Sequence, residues 1–191
     1  FDLPGAERYR LDALDPADAV ALACDRLGVD ALPPEAAAMI RQKAQGHPFF
    51  SVELAYALRD SGLIKIDRRT CQPAPGVDWQ LVSFPDSVQG VITNRIDRLR
   101  PPHQLALKVS SVIGRLFPFR VFRDIFPIES ERLQLPALLC DLNTLDLTMI
   151  EVPDPDLTYG FRHIIIRDVS YNMLLFSHRR QLHRCQRRAE F

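Results

Sequence analysis

The chain has 191 residues, 47% of them hydrophobic and 25% charged, with 24 basic side chains set against 24 acidic ones. This composition excludes a disordered polyelectrolyte and supplies no global field that would draw the chain to nucleic acid or to a membrane. No apolar run approaches the roughly 20 residues of a membrane span, and the first residues lack the charged-then-apolar pattern of a signal peptide, so a cytoplasmic location is expected.

Residues 1–14 contain a turn at Pro4-Gly5 and no self-sufficient element. They read as the last stretch of an upstream domain. Asp15 then caps a helix with Pro16 at its first position, where a missing N–H costs nothing, and Val20, Ala23, Cys24 and Leu27 recur at helical spacing up to Gly28. Pro33-Pro34 opens a second helix carrying Met39, Ile40 and Ala44 and ending at Gly46. A third runs from about Pro48 to Asp60 with Phe50, Leu54 and Leu58 on one stripe, and Gly62 ends it.

The pattern then changes. Leu63-Ile64-Lys65-Ile66 alternates and, across the turn-rich CQPAPG, pairs in expectation with Trp79-Gln80-Leu81 as a hairpin with a long loop. Pro85-Asp86-Ser87 starts a helix with the stripe Val88, Val91, Ile92, Ile96 and Leu99. Arg95, Asp97, Arg98 and Arg100 then read as its solvated face.

A second unit begins at residue 101. Leu105, Val109, Val112 and Ile113 mark one helix, Phe119, Phe122 and Ile125 a short second, and Leu135, Leu138, Leu142 and Leu145 a third. Two β-rich runs follow, Leu147 to Val152 and Thr158 to Phe161, joined by the turn PDPD. Three helices and a hairpin predict a winged helix. Further helices are expected from about His163 to Phe176 and from about Ser177 onward, where Leu182, Cys185 and Ala189 keep helical phase to the last residues, the pattern of a helix that continues beyond them.

The fold class is therefore mainly α, in five expected segments: 1–14, 15–62, 63–100, 101–162 and 163–191. A winged helix raises DNA binding through its third helix, here about Glu131 to Asp146. That helix sets Glu131, Asp141 and Asp146 against Arg132 alone, and acids repel a polyanion. The arginine-rich RRQLHRCQRR run fits the wet face of an amphipathic helix, so no direct DNA binding is expected.

Chemistry-bearing motifs are sparse. None of the eight glycines begins a G-x-x-x-x-G-K-[ST] phosphate loop, and there is no G-x-S-x-G elbow or H-E-x-x-H helix. Cys24, Cys71, Cys140 and Cys185 are scattered, with no zinc-finger spacing. Reduced thiols are expected, with Cys24 and Cys140 on apolar helix faces. His178 and His183 lie five apart, out of register for one metal, and His103 after two prolines reads as a surface residue. No catalytic and no metal-binding residues are assigned.

Two histidines remain. His47 stands between Gly46 and Pro48 at a helix junction, where glycine permits close approach to a ligand and proline fixes the incoming turn; a punctuated boundary is the alternative. His163 follows the hairpin at a helix start, where free N–H groups attract anions; a capping or buried structural histidine is the alternative.

The runs GHPFFSVELAYALRDSGLI, PDSVQGVITNRIDRL, LKVSSVIGRLFPF and FRHIIIRDVSYNMLLFSHRRQLH resemble, over essentially the whole chain, the region after the ATPase core in bacterial class III adenylate/guanylate cyclases fused to a signal-transduction ATPase of the STAND class. The resemblance implies a helical lid at 15–62, a hairpin and connecting helix at 63–100, a winged helix at 101–162, and C-terminal helices leading into helical repeats. It makes 1–14 a remnant of the P-loop core. It also implies binding of ADP or ATP, with Mg supplied by that core, and partners in cis: the core and cyclase domain upstream, the repeats downstream.

By the same resemblance Gly46, Pro48 and Phe49 pack against adenine and sugar, and His163 contacts the β-phosphate of ADP. His163 is followed by Ile164 where related immune switches carry an acid. The alternative placement is the same module within a STAND/LuxR-type transcriptional regulator, and the neighbouring domains tell the two apart.

Overall fold

A computed structural model describes residues 10–189. The chain is mainly helical, with nine α-helices and two small antiparallel sheets among the described residues. It divides into two compact units, one up to Val91 and one from Ile92. Residues 1–9 of the expected core remnant lie outside the described residues.

In the N-terminal unit, α1 (Pro16–Leu27), α2 (Pro34–Ala44) and α3 (Pro48–Asp60) each begin on a proline. Asp15 Oδ1 accepts the Ala17 N–H at 2.9 Å, so the first helix has both a preset φ and a satisfied amide. Gly28 ends it in the left-handed region. Helix α3 packs on α1 and α2 and buries Phe50, Leu54 and Leu58, with Ala36, Ile40 and Ala44 facing them in one core.

Strands β1 (Ile64–Asp67) and β2 (Thr70–Pro73) follow as a tight hairpin with Ile66 opposite Cys71. This corrects the expected long-loop hairpin: Trp79–Leu81 is a turn, and Trp79 and Val82 pack on the helical core instead. The tight turn places Arg68 at φ 55°, at a position that such turns usually fill with Asn, Asp or Gly.

Helix α4 (Val88–Asp97) leads into the C-terminal unit. Ser87 Oγ accepts the Gly90 N–H at 3.1 Å, which explains the start that Pro85-Asp86-Ser87 signalled. Arg95 does not lie on a solvated face: it is buried and donates to the Leu145 carbonyl at 2.7 Å, capping the end of a helix 50 residues away.

In the same unit, α5 (Pro101–Ile113), β3 (Leu116–Pro118), α6 (Phe119–Ile125), a 3-10 turn (Glu129–Gln134) and α7 (Leu135–Thr144) precede β4 (Thr148–Val152) and β5 (Thr158–Phe161). The strands form one sheet in the order β3-β5-β4, with Phe117 opposite Tyr159 and Thr148 opposite Phe161. The expected hairpin thus gains a third strand. Phe117 is completely buried, with the rings of Phe122, Tyr159 and Phe161 centred 5.6–5.9 Å away. The third helix begins at Leu135 rather than near Glu131, because the 3-10 turn occupies the approach.

The chain continues as α8 (Ile164–Asn172), shorter than expected because the break falls at Met173–Leu175, and α9 (Phe176–Ala189), which starts about where expected. Among the described residues no helix is long and apolar enough to cross a membrane.

His103 is not a surface residue. It is 3% exposed, and its Nε2 meets Asp141 Oδ2 at 2.8 Å, with Arg100 3.3 Å from the same oxygen. The acid from α7 lets this polar ring be buried at the start of α5.

The thiols are free. Cys140, expected on an apolar face, is exposed; Cys24 and Cys71 are half-buried, and burial pushes both thiols up, the Cys24 charge adding to the effect on Cys71 and a backbone hydrogen bond at Leu32 opposing it on Cys24. A raised pKa leaves less thiolate at neutral pH. Iodoacetamide at pH 7 is therefore expected to label Cys140 well before Cys24 and Cys71, with the two slower sites accelerating as the pH rises. Mass spectrometry showing equal early labelling would contradict this.

Candidate functional site

The two histidines singled out in the sequence do the same local job, one in each unit. His47 is the N-cap of α3, and its Nδ1 accepts the Phe50 N–H at 3.4 Å. His163 is the N-cap of α8, and its Nδ1 accepts the Ile165 N–H at 3.2 Å. An imidazole whose Nδ1 accepts a hydrogen bond is neutral and carries its proton on Nε2. Each ring thus sits at the positive end of a helix with Nδ1 taken by the cap.

Local sequence explains the first corner. Helix α2 ends with Gln45 and Gly46 at φ 49° and 76°, and the Gly46 carbonyl accepts the Leu14 N–H at 2.9 Å. A Cβ on Gly46 would lie inside contact distance of the Leu14 carbonyl oxygen and 3.1 Å from the Ala13 Cβ. The close approach that this glycine permits is thus made by the chain's own residues 13 and 14. Pro48 follows at the first helical position, exposed, and Phe49 is half-buried.

Beside this corner is a cleft of about 600 Å³. His47 and Phe50 line it together with Gln42, Lys43, Gln45 and Asp86, whereas Gly46, Pro48 and Phe49 do not. Lys43 donates from Nζ to the Phe84 carbonyl at 2.8 Å and pairs with Asp86. The one cation in the wall is therefore already neutralised. Two amides, an imidazole and a phenyl ring suit an uncharged heterocycle or a sugar better than a phosphate. Lys43 and Asp86 escaped sequence reading because 43 residues separate them.

At the second corner, β5 ends on buried Phe161, whose N–H donates to the Arg115 carbonyl at 3.0 Å. The Arg162 N–H bonds the Leu147 carbonyl at 3.2 Å and its guanidinium pairs with Asp146 at 3.1 Å. His163, half-buried, then turns the chain into α8, whose first turn carries no acid. Asp168 is held by Arg167 at 3.0 Å, while Arg167 Nε also bonds the Ser111 carbonyl at 2.9 Å. Sheet and α5 thus fix both sides of the cap. Each sequence-derived site residue sits at its corner, Gly46, Pro48 and Phe49 in one unit and His163 in the other.

The imidazole–carboxylate pair of His103 with Asp141 has its ring sealed from solvent, so it supports packing rather than proton transfer to a substrate. Among the described residues no three histidine, cysteine or acidic side chains come together as metal ligands.

A family model described as a domain of unknown function, DUF8739, matches residues 16–72, that is α1 to α3 and most of the β1–β2 hairpin. No curated protein matches the chain.

Proposed function

We propose that the chain is the regulatory segment, a lid followed by a winged helix, of a STAND-type ATPase switch in a cytoplasmic protein resembling an adenylate cyclase, coupling nucleotide state to signalling output without catalysis of its own. The observation that carries this reading is the place of His163, N-cap of α8 with its Nδ1 taken by the Ile165 N–H. With Nδ1 so engaged, Nε2 is the ring nitrogen that would donate to the β-phosphate of ADP.

Two further features support it. The charge-compensated lining of the cleft at His47 supports a place for the adenine and sugar end of a nucleotide, and the element order of the C-terminal unit, with β3 added to the hairpin, supports reading it as a winged helix. The phosphate cradle and Mg ligands belong to the ATPase core in this reading. Bound nucleotide stabilises the closed state by its differential contacts, and losing them releases it.

In the full-length parent, His163→Ala is expected to weaken ADP binding roughly ten-fold or more, since a charge-assisted hydrogen bond contributes about 1.5–3 kcal/mol. Basal output should rise with it. Unchanged nucleotide retention together with unchanged output would remove His163 from the switch.

A further inference from the structure

Helix α9 carries Arg179, Arg180, Arg184, Arg187 and Arg188 and no acid within its described length. It packs on α5 and α6 and buries Leu182, so one face is committed to the unit's interior. On the outward side Arg180, Arg184 and Arg187 are all exposed, at spacings of four and three residues, which place them about 6 and 4.5 Å apart along the axis. None of the three has a hydrogen-bond or carboxylate partner among the described residues. Like charges at this spacing oppose helix formation, and an anion laid along the stripe would relieve that repulsion.

Arg179 differs from the other three. It bonds the Leu174 and Asn172 carbonyls at 3.0 Å each and lies 4.5 Å above the Tyr171 ring, which also meets Arg167 at 4.9 Å and hydrogen-bonds His183 at 3.1 Å. Those groups build a fixed floor. Around it is a cleft of about 650 Å³ whose rim is Phe176, Arg180, Arg184 and Arg187. Phe176 is 80% exposed, one turn before Arg180 on the same helix face.

We propose that this face of α9 binds single-stranded nucleic acid, Arg180, Arg184 and Arg187 taking successive phosphates and Phe176 stacking on a base. The guanidinium fork suits phosphate, and a stackable base matches the bare phenyl ring, which acidic side chains of a peptide would leave uncovered. A duplex keeps its bases stacked on one another and has none to offer Phe176. This mode is separate from groove reading by α7, whose Asp141 and Asp146 are held by Arg100, His103 and Arg162, and it departs from the expectation that the RRQLHRCQRR run is a wet face alone, because the cleft and the bare Phe176 ring lie beside the arginines.

The test is fluorescence anisotropy of a labelled oligo-dT of about 12 nucleotides titrated with the 191-residue chain at increasing salt. Three phosphate contacts predict a slope of log K on log salt near −2. Replacing Arg180, Arg184 and Arg187 together by Gln should abolish that slope and weaken binding at least ten-fold. Phe176→Ala should weaken binding about ten-fold while keeping the slope. Circular dichroism matching the parent chain confirms that the variants fold. The proposal is overturned by absent or salt-independent binding, by a slope that survives the arginine replacements, or by equal affinity for a duplex of the same length. Efficient displacement by polyglutamate with Phe176→Ala silent would make the partner an acidic protein and overturn it as well.

Discussion

Phe117→Ala is expected to destabilise the C-terminal unit by about 4 kcal/mol, within the range for removing a buried phenyl ring. Phe117 is the middle residue of β3 and has no exposed surface. Its ring stacks on Tyr159 at 5.9 Å and tilts against Phe122 and Phe161 at 5.7 and 5.6 Å, so truncation leaves a cavity among three rings that strands and helix hold apart. Its strand neighbour Leu116 is half exposed, and Leu116→Ala should cost less than about 1 kcal/mol. Amide exchange in β5 reads this unit, because Trp79, the chain's one tryptophan, lies in the other. Equal losses from the two substitutions would mean that Phe117 does not organise the sheet.

The second large effect is expected at the junction of α2 and α3. Gly46→Ala should cost about 3 kcal/mol, combining a left-handed backbone with a Cβ driven against the Leu14 carbonyl. Gly28 has nearly the same φ, 69°, but nothing within 4 Å of its would-be Cβ, so Gly28→Ala should cost only about 1 kcal/mol. Trp79 packs against the N-terminal core, and its fluorescence on urea unfolding follows both variants. A difference of about 2 kcal/mol isolates the contact with residues 13 and 14 from backbone strain. Matching losses would show that the 13–14 segment yields freely.

Much of the helical framework was legible because it is punctuated locally. Asp15-Pro16, Pro33-Pro34, His47-Pro48 and Pro101-Pro102 mark starts, and Gly28, Gly46 and Gly62 mark ends at positive φ, all within a few residues of the helix concerned. What escaped reading depends on distant partners. Strand β3 is three residues long and exists because β5, some 40 residues later, pairs with it. His103 and Arg95 looked solvated until Asp141 and the Leu145 carbonyl, 38 and 50 residues away, were brought to them. The β2 strand was displaced in expectation because an arginine occupies the turn position usually given to Asn or Gly.

The same division applies to the candidate site. Both helix-start histidines were visible, and their shared role as caps follows from position alone. Which ring nitrogen makes each cap was not visible, since that depends on how the ring meets the amide two or three residues on. Nor was the partnering of Lys43 by Asp86, which compensates the one cation in the wall of the His47 cleft.

Capping and the proposed phosphate contact by His163 can be separated in one comparison within a protein that joins this chain to the proposed ATPase core. Asparagine caps helices as well as any residue, so His163→Asn should leave thermal stability within about 0.5 kcal/mol, whereas His163→Ala loses about 1 kcal/mol. Neither side chain places a donor where Nε2 stands. The account predicts that ADP affinity falls roughly ten-fold or more in both variants although only one is destabilised. An Asn variant that holds ADP as tightly as the parent would contradict it, leaving His163 a cap and nothing more.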